Sequence, residues 1–242
     1  MKKIFLTSNI GCSKKINGKR FAIPINNINN IIEQIKDNLS NETNFVFFVS
    51  NPEDYEANDI YANVTFESFN MSGFNFRNLI IIDNRYTNDI KETIKIADLV
   101  FLAGGNTLTQ MQFFEKINLK SILKDYEGII IGQSAGSINL AKTAICAPEY
   151  EEEIGTKYIW PGLNKTNINI EPHFNLETND ETQKELRNEL LNLSQKYMIY
   201  AIPDGTHIYD NGKEVIIYGE AYLIKNRAIT KISNNTSKLI IK

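Results

Sequence analysis

The chain has 242 residues, of which 42% are hydrophobic and 23% charged, and this composition excludes a largely disordered protein. Its formal net charge of -3 gives no electrostatic reason to expect nucleic acid or an anionic membrane surface as a partner. No apolar run approaches the length of about eighteen residues that a membrane span needs, so no membrane association is expected.

The first half of the chain alternates between short apolar runs and helical patterns. Apolar runs predict buried strands at residues 3–7, 44–49, 79–83, 99–103 and 128–131. Helical spacing between them predicts helices at residues 27–39, 54–69 and 88–97. This alternation predicts an α/β fold with a mainly parallel sheet flanked by helices on both faces. Because no linker divides the chain, residues 1–242 are expected to form a single domain.

The second half begins with an acidic segment and then returns to regular patterns. Residues 167–171 alternate like a strand, residues 181–197 form an amphipathic helical pattern, and residues 198–202 read as a further buried strand. Four β-rich runs follow, at residues 206–209, 215–218, 222–224 and 229–232, with turn residues between them. We expect these runs to form a small antiparallel β meander at the C-terminus, appended to the main sheet.

The segment Gly132-Gln133-Ser134-Ala135-Gly136 follows the buried run 128–131 and precedes a helical pattern that extends to Ala144. Gly-x-Ser-x-Gly at a strand-to-helix corner is typical of a nucleophile elbow. The glycines fit such a corner, because a side chain there would clash with the neighbouring backbone. Ser134 is therefore the predicted nucleophile, and the alternative is an ordinary turn of small residues.

A serine nucleophile needs a base, and the base needs an acidic partner. The chain has two histidines. His173 is favoured because it follows a predicted strand and a proline, whereas His207 lies inside a β-rich run. For the acid, the residues alone leave several candidates open: Glu149, Glu151, Glu152 and Glu153 before His173, and Asp204 after it.

Acyl transfer also needs two hydrogen-bond donors for the developing oxyanion. One is expected from the backbone N–H of Ala135, at the start of the elbow helix. The second is expected from the loop Gly104-Gly105-Asn106-Thr107, which ends a neighbouring predicted strand. The alternative for this loop is a plain turn in which Asn106 or Thr107 caps a helix.

Several blocks of sequence together resemble the peptidase E family of serine dipeptidases, which also contains the cyanophycinases. They are Phe101-Leu102-Ala103-Gly104-Gly105-Asn106-Thr107, Gly132-Gln133-Ser134-Ala135-Gly136, Asn169-Ile170-Glu171-Pro172-His173-Phe174 and Ala201-Ile202-Pro203-Asp204-Gly205-Thr206. The first three stand in the family's order and close to its spacing, and the fourth resembles another of its blocks.

The resemblance implies a class I glutamine-amidotransferase-like α/β fold and hydrolysis of short peptides by a Ser-His-acid triad. It implies Ser134 as nucleophile, His173 as base, and Gly105 and Ala135 as oxyanion donors. The family's spacing after the elbow indicates Glu149 as the acid, with Glu151 and Glu152 as neighbouring alternatives.

Two further residues, Asn106 and Gln183, are expected to contact the substrate. Gln183 stands where the family carries an arginine suited to a substrate carboxylate, so the preferred substrate need not begin with aspartate. Two alternative functions stay open: a non-catalytic member of the fold that binds a small ligand, and an esterase or amidase that acts on another acyl substrate.

No cofactor and no metal are expected, because no His, Cys or Asp cluster shows ligand spacing. Cys12 and Cys146 are interpreted as two unrelated reduced thiols. The apolar run near the amino terminus is too short for a signal sequence, so a cytoplasmic location is expected. The expected partner is a short peptide substrate, and the chain is expected to be a monomer or a homodimer.

Overall fold

A computed structural model describes residues 2–147, 159–177 and 181–242, with residues 181–186 described by their backbone alone. The described strands are β1 (Ile4–Thr7), β2 (Ser13–Ile16), β3 (Lys19–Ala22), β4 (Asn44–Phe48), β5 (Asn78–Ile82), β6 (Leu99–Leu102), β7 (Ile129–Gln133), β8 (Thr143–Ile145), β9 (Ile159–Pro161), β10 (Asn169–Glu171), β11 (Ile199–Ala201), β12 (His207–Asp210), β13 (Val215–Tyr218), β14 (Ala221–Lys225), β15 (Ala228–Ser233) and β16 (Lys238–Ile240). The described helices are α1 (Ile31–Asn38), α2 (Tyr55–Met71), α3 (Ile90–Lys95), α4 (Thr107–Lys116), α5 (Leu119–Ile122), α6 (Ala135–Leu140) and α7 (Glu181–Leu193).

The main sheet has eight strands in the order β16-β13-β12-β1-β7-β6-β4-β5. The five strands from β1 to β5 in this order run parallel, and β12, β13 and β16 extend the sheet antiparallel to their neighbours. The predicted mainly parallel sheet is confirmed. All five apolar runs of the first half form its strands, because continuous apolar sequence suits strands that are covered on both faces.

Aromatic side chains of β4 show how helices cover both faces of the sheet. Phe45 packs edge-on against Phe69 of α2, with ring centroids 5.0 Å apart. Phe48 points to the opposite face and packs against Phe114 of α4, with ring centroids 6.1 Å apart. Because neighbouring residues of a strand alternate between faces, one phenylalanine-rich strand supplies core to both layers.

The C-terminal strands differ from the single meander that the sequence predicts. β12 and β13 join the edge of the main sheet, whereas β14 and β15 join β10 and β11 in a separate four-stranded sheet. Turn residues mark where a hairpin reverses, but the sheet that each strand joins depends on which edge is free in the folded chain. Here β1 offers one edge and β11 offers the other.

Two further local elements differ from the prediction. The hairpin β2–β3 was not predicted, although Asn17-Gly18 between its strands has positive φ at both residues, as a type I′ turn requires. Its strands are largely exposed and polar, so they show no apolar run. The elbow helix is also shorter than predicted: α6 ends at Leu140, and Ala144 lies in β8.

The parallel strands bring several loop residues to one edge of the sheet. Ser8 follows β1, Ser50 lies beyond β4, Gly104 follows β6 and Ser134 follows β7. All four therefore lie at the carboxyl ends of adjacent strands, where open α/β sheets place their binding crevices.

Candidate active site

Ser134 occupies a sharp corner between β7 and α6. Its backbone has φ 50° and ψ -113°, a conformation that is unfavourable for a residue with a side chain. A Cβ on Gly132 would lie 2.6 Å from the backbone nitrogen of Ser137, and a Cβ on Gly136 would run into the carbonyl oxygen of Leu102. Both glycines of the predicted elbow are therefore required by close backbone contact.

The side chain of His173 lies between Ser134 and Asp204. Its Nε2 is 3.0 Å from Ser134 Oγ, and its Nδ1 is 2.7 Å from Asp204 Oδ1. An ionised carboxylate can only accept hydrogen bonds, so Nδ1 carries the proton and Nε2 is left to accept from the Ser134 hydroxyl. This is the arrangement in which a histidine can act as the base for a serine.

Asp204 is held in its ionised form by its hydrogen bonds. Partial burial by itself would raise the pKa of its carboxyl, but hydrogen bonds from His173 and Ser8 outweigh this and keep that pKa below its usual value. The side chains of His173 and Asp204 are still 48% and 54% exposed, so the site opens to solvent. A charged carboxylate beside His173 favours the imidazolium that forms when a base accepts a proton.

Ser8 connects the backbone of His173 to the carboxylate of Asp204. Its Oγ donates to Asp204 Oδ1 at 2.6 Å and accepts from the backbone N–H of His173 at 2.7 Å. The second bond secures a histidine whose backbone has φ 56°. Sequence reasoning missed Ser8, although a polar residue directly after a buried strand next to the elbow strand is a recognisable signal.

On the other side of Ser134, the loop after β6 presents backbone groups. A Cβ on Gly104 would lie 3.5 Å from Ser134 Cβ, and Gly105 has φ 140° with no room for a Cβ beside Ser50. Ala135 begins α6, and N–H groups in the first turn of a helix have no acceptor within the helix. The predicted oxyanion donors therefore lie on elements that adjoin Ser134.

Buried polar side chains stabilise this loop from behind. Gln110 Nε2 donates to the carbonyl of Ala103 at 2.7 Å, and Asn139 Nδ2 donates to the carbonyl of Thr107 at 2.9 Å. Trp160 Nε1 donates to Asn139 Oδ1 at 3.0 Å. Because buried polar groups that lose a partner are costly, these bonds hold the loop in one conformation.

A family model for peptidase family S51 matches residues 24–218. This chain belongs to peptidase family S51. The predicted peptidase E relationship is confirmed, and the protein is a serine-type peptidase. No curated protein sequence matches the chain significantly.

Two solved structures show the same fold as this S51 chain. A protein from Listeria monocytogenes EGD-e, provisionally assigned as a peptidase E, is 18% identical, covers 96% of this chain and 100% of its own, and gives a TM-score of 0.58. A peptidase from an acI-B1 Actinobacterium is 12% identical, covers 99% of this chain and 96% of its own, and gives a TM-score of 0.67. These matches extend the fold assignment over nearly the whole chain.

The acid predicted for this family member was Glu149, and Glu149 lies outside the described residues, as do Glu151, Glu152 and Glu153. The described carboxylate that contacts His173 is Asp204, which the residues alone had left open. β10 and β11 pair in parallel, with Glu171 opposite Ala201, so the loops that follow them leave the same sheet edge. The sequence of two separate strand-like runs does not show that they pair with each other. The spacing after the elbow indicated Glu149 instead of Asp204.

The second histidine, His207, is the first residue of β12. It is fully buried, its Nε2 is 3.0 Å from Gln34 Oε1, and burial lowers its pKa to about 3. It is therefore a core histidine.

Of the two predicted substrate contacts, only Asn106 has a side chain that the structure describes. Asn106 accepts a hydrogen bond from the backbone N–H of Thr109 at 2.8 Å and caps α4, which is the structural alternative that the sequence left open. The side chain of Gln183 lies outside the described residues, so its contact with substrate stays a prediction.

The residues that the structure describes contain no group of three His, Cys, Asp or Glu side chains placed to hold a metal ion. No disulfide joins Cys12 and Cys146. None of the described helices combines the length and apolar character needed to cross a bilayer.

Proposed function

We propose that this S51 member hydrolyses short peptides, with dipeptides as the simplest substrates, through Ser134, His173 and Asp204. The observation that carries the proposal is the continuous hydrogen-bonded chain from Ser134 Oγ through the His173 ring to Asp204 Oδ1. The proposal replaces Glu149 with Asp204 as the acid, and it keeps the other predicted roles.

In the first step, His173 Nε2 accepts the proton of the Ser134 hydroxyl as Ser134 Oγ attacks the scissile carbonyl carbon. The carbonyl oxygen becomes an oxyanion, and backbone N–H groups of Gly105 and Ala135 stabilise it. Such donors are effective because they are already oriented before the charge develops. Asp204 stabilises the positive charge that His173 carries at this stage.

In the second step, His173 returns the proton to the leaving amine as the carbon–nitrogen bond breaks. This leaves an ester between Ser134 and the acyl part of the peptide. His173 then accepts a proton from water as the water attacks the ester, and it gives that proton to Ser134 Oγ as the bond between Oγ and the acyl carbon breaks and the acyl product leaves. No cofactor or metal enters this scheme, and the half-exposed histidine gives water access to the ester.

The proposal is tested by hydrolysis of a dipeptide library, with and without amino-terminal aspartate, by the wild type and by Ser134→Ala. We expect cleavage by the wild type and a loss of at least about 10⁴-fold in kcat for the variant. Retention of activity by Ser134→Ala would contradict the proposed nucleophile.

Cleavage of peptides without aspartate, still through Ser134, would support the specificity expected from Gln183. If no peptide is cleaved but acyl esters are, the chain is an esterase of the same mechanism. If neither is cleaved, a ligand-binding function replaces the proposed one.

A further inference from the structure

The pairing between β6 and β7 stops before the two strands reach the candidate active site. Its last pair is Leu102 opposite Gly132. The loop 104–107 follows β6 and carries one of the predicted oxyanion donors, so we call it the oxyanion loop. Gln133, the residue before Ser134, also lies beyond the last pair. Contacts other than the pairing of these two strands therefore set the position of the oxyanion loop relative to the nucleophile.

The hydroxyl of Tyr61, in α2, joins these two segments. It accepts a hydrogen bond from Gln133 Nε2, and it also contacts the backbone of Gly104. Gln133 and Gly104 are themselves close, since a Cβ on Gly104 would lie 3.7 Å from Gln133 Nε2 and 3.5 Å from Ser134 Cβ. One side-chain oxygen thus bridges the oxyanion loop and the residue that precedes the nucleophile.

The side chain of Gln133 depends on Tyr61 for its orientation. Gln133 is buried, and its Oε1 has no hydrogen-bond partner among the residues that the structure describes. Within the same part of the chain, its Nε2 bonds only to Tyr61. Because an unpaired buried polar group is costly, an amide that lost this bond would have to turn or take up water.

Neighbouring side chains hold the ring of Tyr61 in place. Phe47 of β4 packs edge-on against it, with ring centroids 5.5 Å apart. The guanidinium of Arg20, in β3, lies over the ring, 5.1 Å from its centroid. A strand of the main sheet and the hairpin β2–β3 therefore present the hydroxyl at a fixed point.

The Tyr61 hydroxyl acts as a neutral hydrogen-bonding group. Burial raises its pKa above the ordinary value of 10.0, so it stays protonated at physiological pH. A phenylalanine would fill the same space and could contact Phe47 equally well. What the hydroxyl adds is its contact with the two segments beside Ser134.

Ser50 supports the oxyanion loop one residue further along. Gly105 has φ 140°, and a Cβ there would collide with Ser50 Oγ. Ser50 follows β4, and Tyr61 belongs to α2, the helix after it. Since β6 lies between β7 and β4 in the sheet, the oxyanion loop lies between the elbow and this β4–α2 unit.

We propose that Tyr61 is a positioning residue for the hydrolysis reaction. Its hydroxyl fixes the separation between the oxyanion loop and the elbow, so that the N–H of Gly105 is in place when charge develops on the substrate oxygen. This inference rests on the proposed function and adds to it a residue from outside the triad. Oxyanion donors act through orientation that exists before the reaction, and a displacement of about 1 Å can cost about a hundredfold in rate.

The kinetic test is Tyr61→Phe, which removes one oxygen atom. On a dipeptide that the wild type cleaves, we expect kcat to fall about ten- to a hundredfold and KM to stay within about threefold of the wild-type value. The reason is that the oxyanion forms only on the way through the transition state. A rise in KM with unchanged kcat would place Tyr61 in substrate binding and overturn the inference.

Tyr126→Phe is the matched control, because it removes the same atom at the other end of the same two strands. The Tyr126 hydroxyl donates to the carbonyl of Ala97, just before β6, at 3.2 Å and to that of Ile129, the first residue of β7, at 3.4 Å. Urea unfolding should show a loss of stability in both variants, whereas kcat of Tyr126→Phe should stay at the wild-type value. Equal losses of kcat would show a general effect of a missing hydroxyl and overturn the inference.

Labelling of Ser134 by a fluorophosphonate separates this inference from the proposed function. Ser134 Oγ forms a bond to phosphorus, His173 accepts the hydroxyl proton, and fluoride leaves as the phosphorus–fluorine bond breaks. The phosphoryl oxygen then lies where the oxyanion of a peptide would lie. We expect the rate constant of labelling, followed by mass spectrometry, to fall at least about tenfold in Tyr61→Phe and to be unchanged in Tyr126→Phe.

The combined results distinguish the two proposals. If labelling depends on Tyr61 but no peptide or ester is hydrolysed, the proposed function fails and the positioning role stands. If peptides are hydrolysed and Tyr61→Phe matches the wild type in turnover and labelling, the positioning role fails and the function stands. A wild type that is neither labelled nor active would overturn both.

Discussion

The two histidines of this protein occupy opposite kinds of environment. His173 is half exposed, has a left-handed backbone conformation, and lies between a hydroxyl and a carboxylate. His207 is fully buried, stacks on Tyr218 with ring centroids 5.1 Å apart, and has an uncharged amide oxygen as its hydrogen-bond partner.

This difference shows that burial and the charge of the partner decide what a histidine can do. A general base must gain and lose a proton near neutral pH, and a nearby carboxylate supports its charged form. Burial opposes that form at His207, whose pKa is lowered to about 3. That a residue is histidine therefore does not show whether it has a catalytic role or a structural role in the core.

The largest expected effect comes from removing one histidine or the other. His173→Ala removes the proposed base and is expected to lower kcat by about 10⁵- to 10⁶-fold. His207→Phe keeps a ring in the core and should leave kcat of the same order as the wild type. Steady-state kinetics on a cleaved dipeptide measure both, and equal losses in the two variants would contradict the comparison.

The second effect concerns Asp204, the carboxylate that contacts His173 and has no counterpart at His207. Asp204→Asn replaces an acceptor with an amide that can hold the wrong His173 tautomer, so kcat should fall by about 10³- to 10⁴-fold. Glu149→Gln is the control and should keep activity near the wild-type level. A larger loss for Glu149→Gln than for Asp204→Asn would restore Glu149 as the acid.

A smaller effect is expected from the residue that positions His173 and Asp204. Ser8→Ala removes bonds to the Asp204 carboxylate and to the His173 backbone N–H, and kcat should fall about tenfold, roughly the worth of such bonds. A hydrogen bond to the ionised form lowers a carboxyl pKa, so the pKa of Asp204 should rise in this variant.

Titration of the Asp204 carboxyl by NMR measures that shift, which a purely structural role for Ser8 would not produce. Ser8→Thr keeps the hydroxyl and should recover part of the activity. An unchanged Asp204 pKa together with full activity in Ser8→Ala would remove Ser8 from the site.

The smallest effect is on stability and concerns the buried histidine. The folded-state pKa of His207 lies below its ordinary value of 6.5. Above that pH His207 is neutral in both the folded and the unfolded state, so its burial causes no loss of stability by protonation. As pH falls from about 6.5 toward 3, the unfolded state binds the extra proton, and the free energy of unfolding declines by up to about 1.4 kcal/mol per pH unit.

His207→Phe lacks this titration, so its free energy of unfolding should depend less on pH than that of the wild type. Urea unfolding of both proteins at several values between pH 7 and pH 4 measures the difference. Parallel pH profiles for the two proteins would show that His207 does not titrate on unfolding.

Much of the fold and part of the site could be predicted because their signals are local. The five apolar runs predict the parallel strands, and the glycines around Ser134 predict the elbow that their backbone contacts require. The hairpin β2–β3 also had a local signal in Asn17-Gly18, but its exposed polar strands gave no apolar pattern to support it.

By itself, the sequence determined the strand-to-helix corner at Ser134 and the buried strands around it, and it predicted His173 rather than His207 as the base. Only the tertiary structure decided that Asp204 and Ser8 complete the arrangement. Ser8 and Asp204 are 196 positions apart, and they meet because β1 pairs antiparallel with β12, with Thr7 opposite His207. Local patterns encode burial and turns, whereas contact between distant loops depends on which strand edges pair when the chain folds.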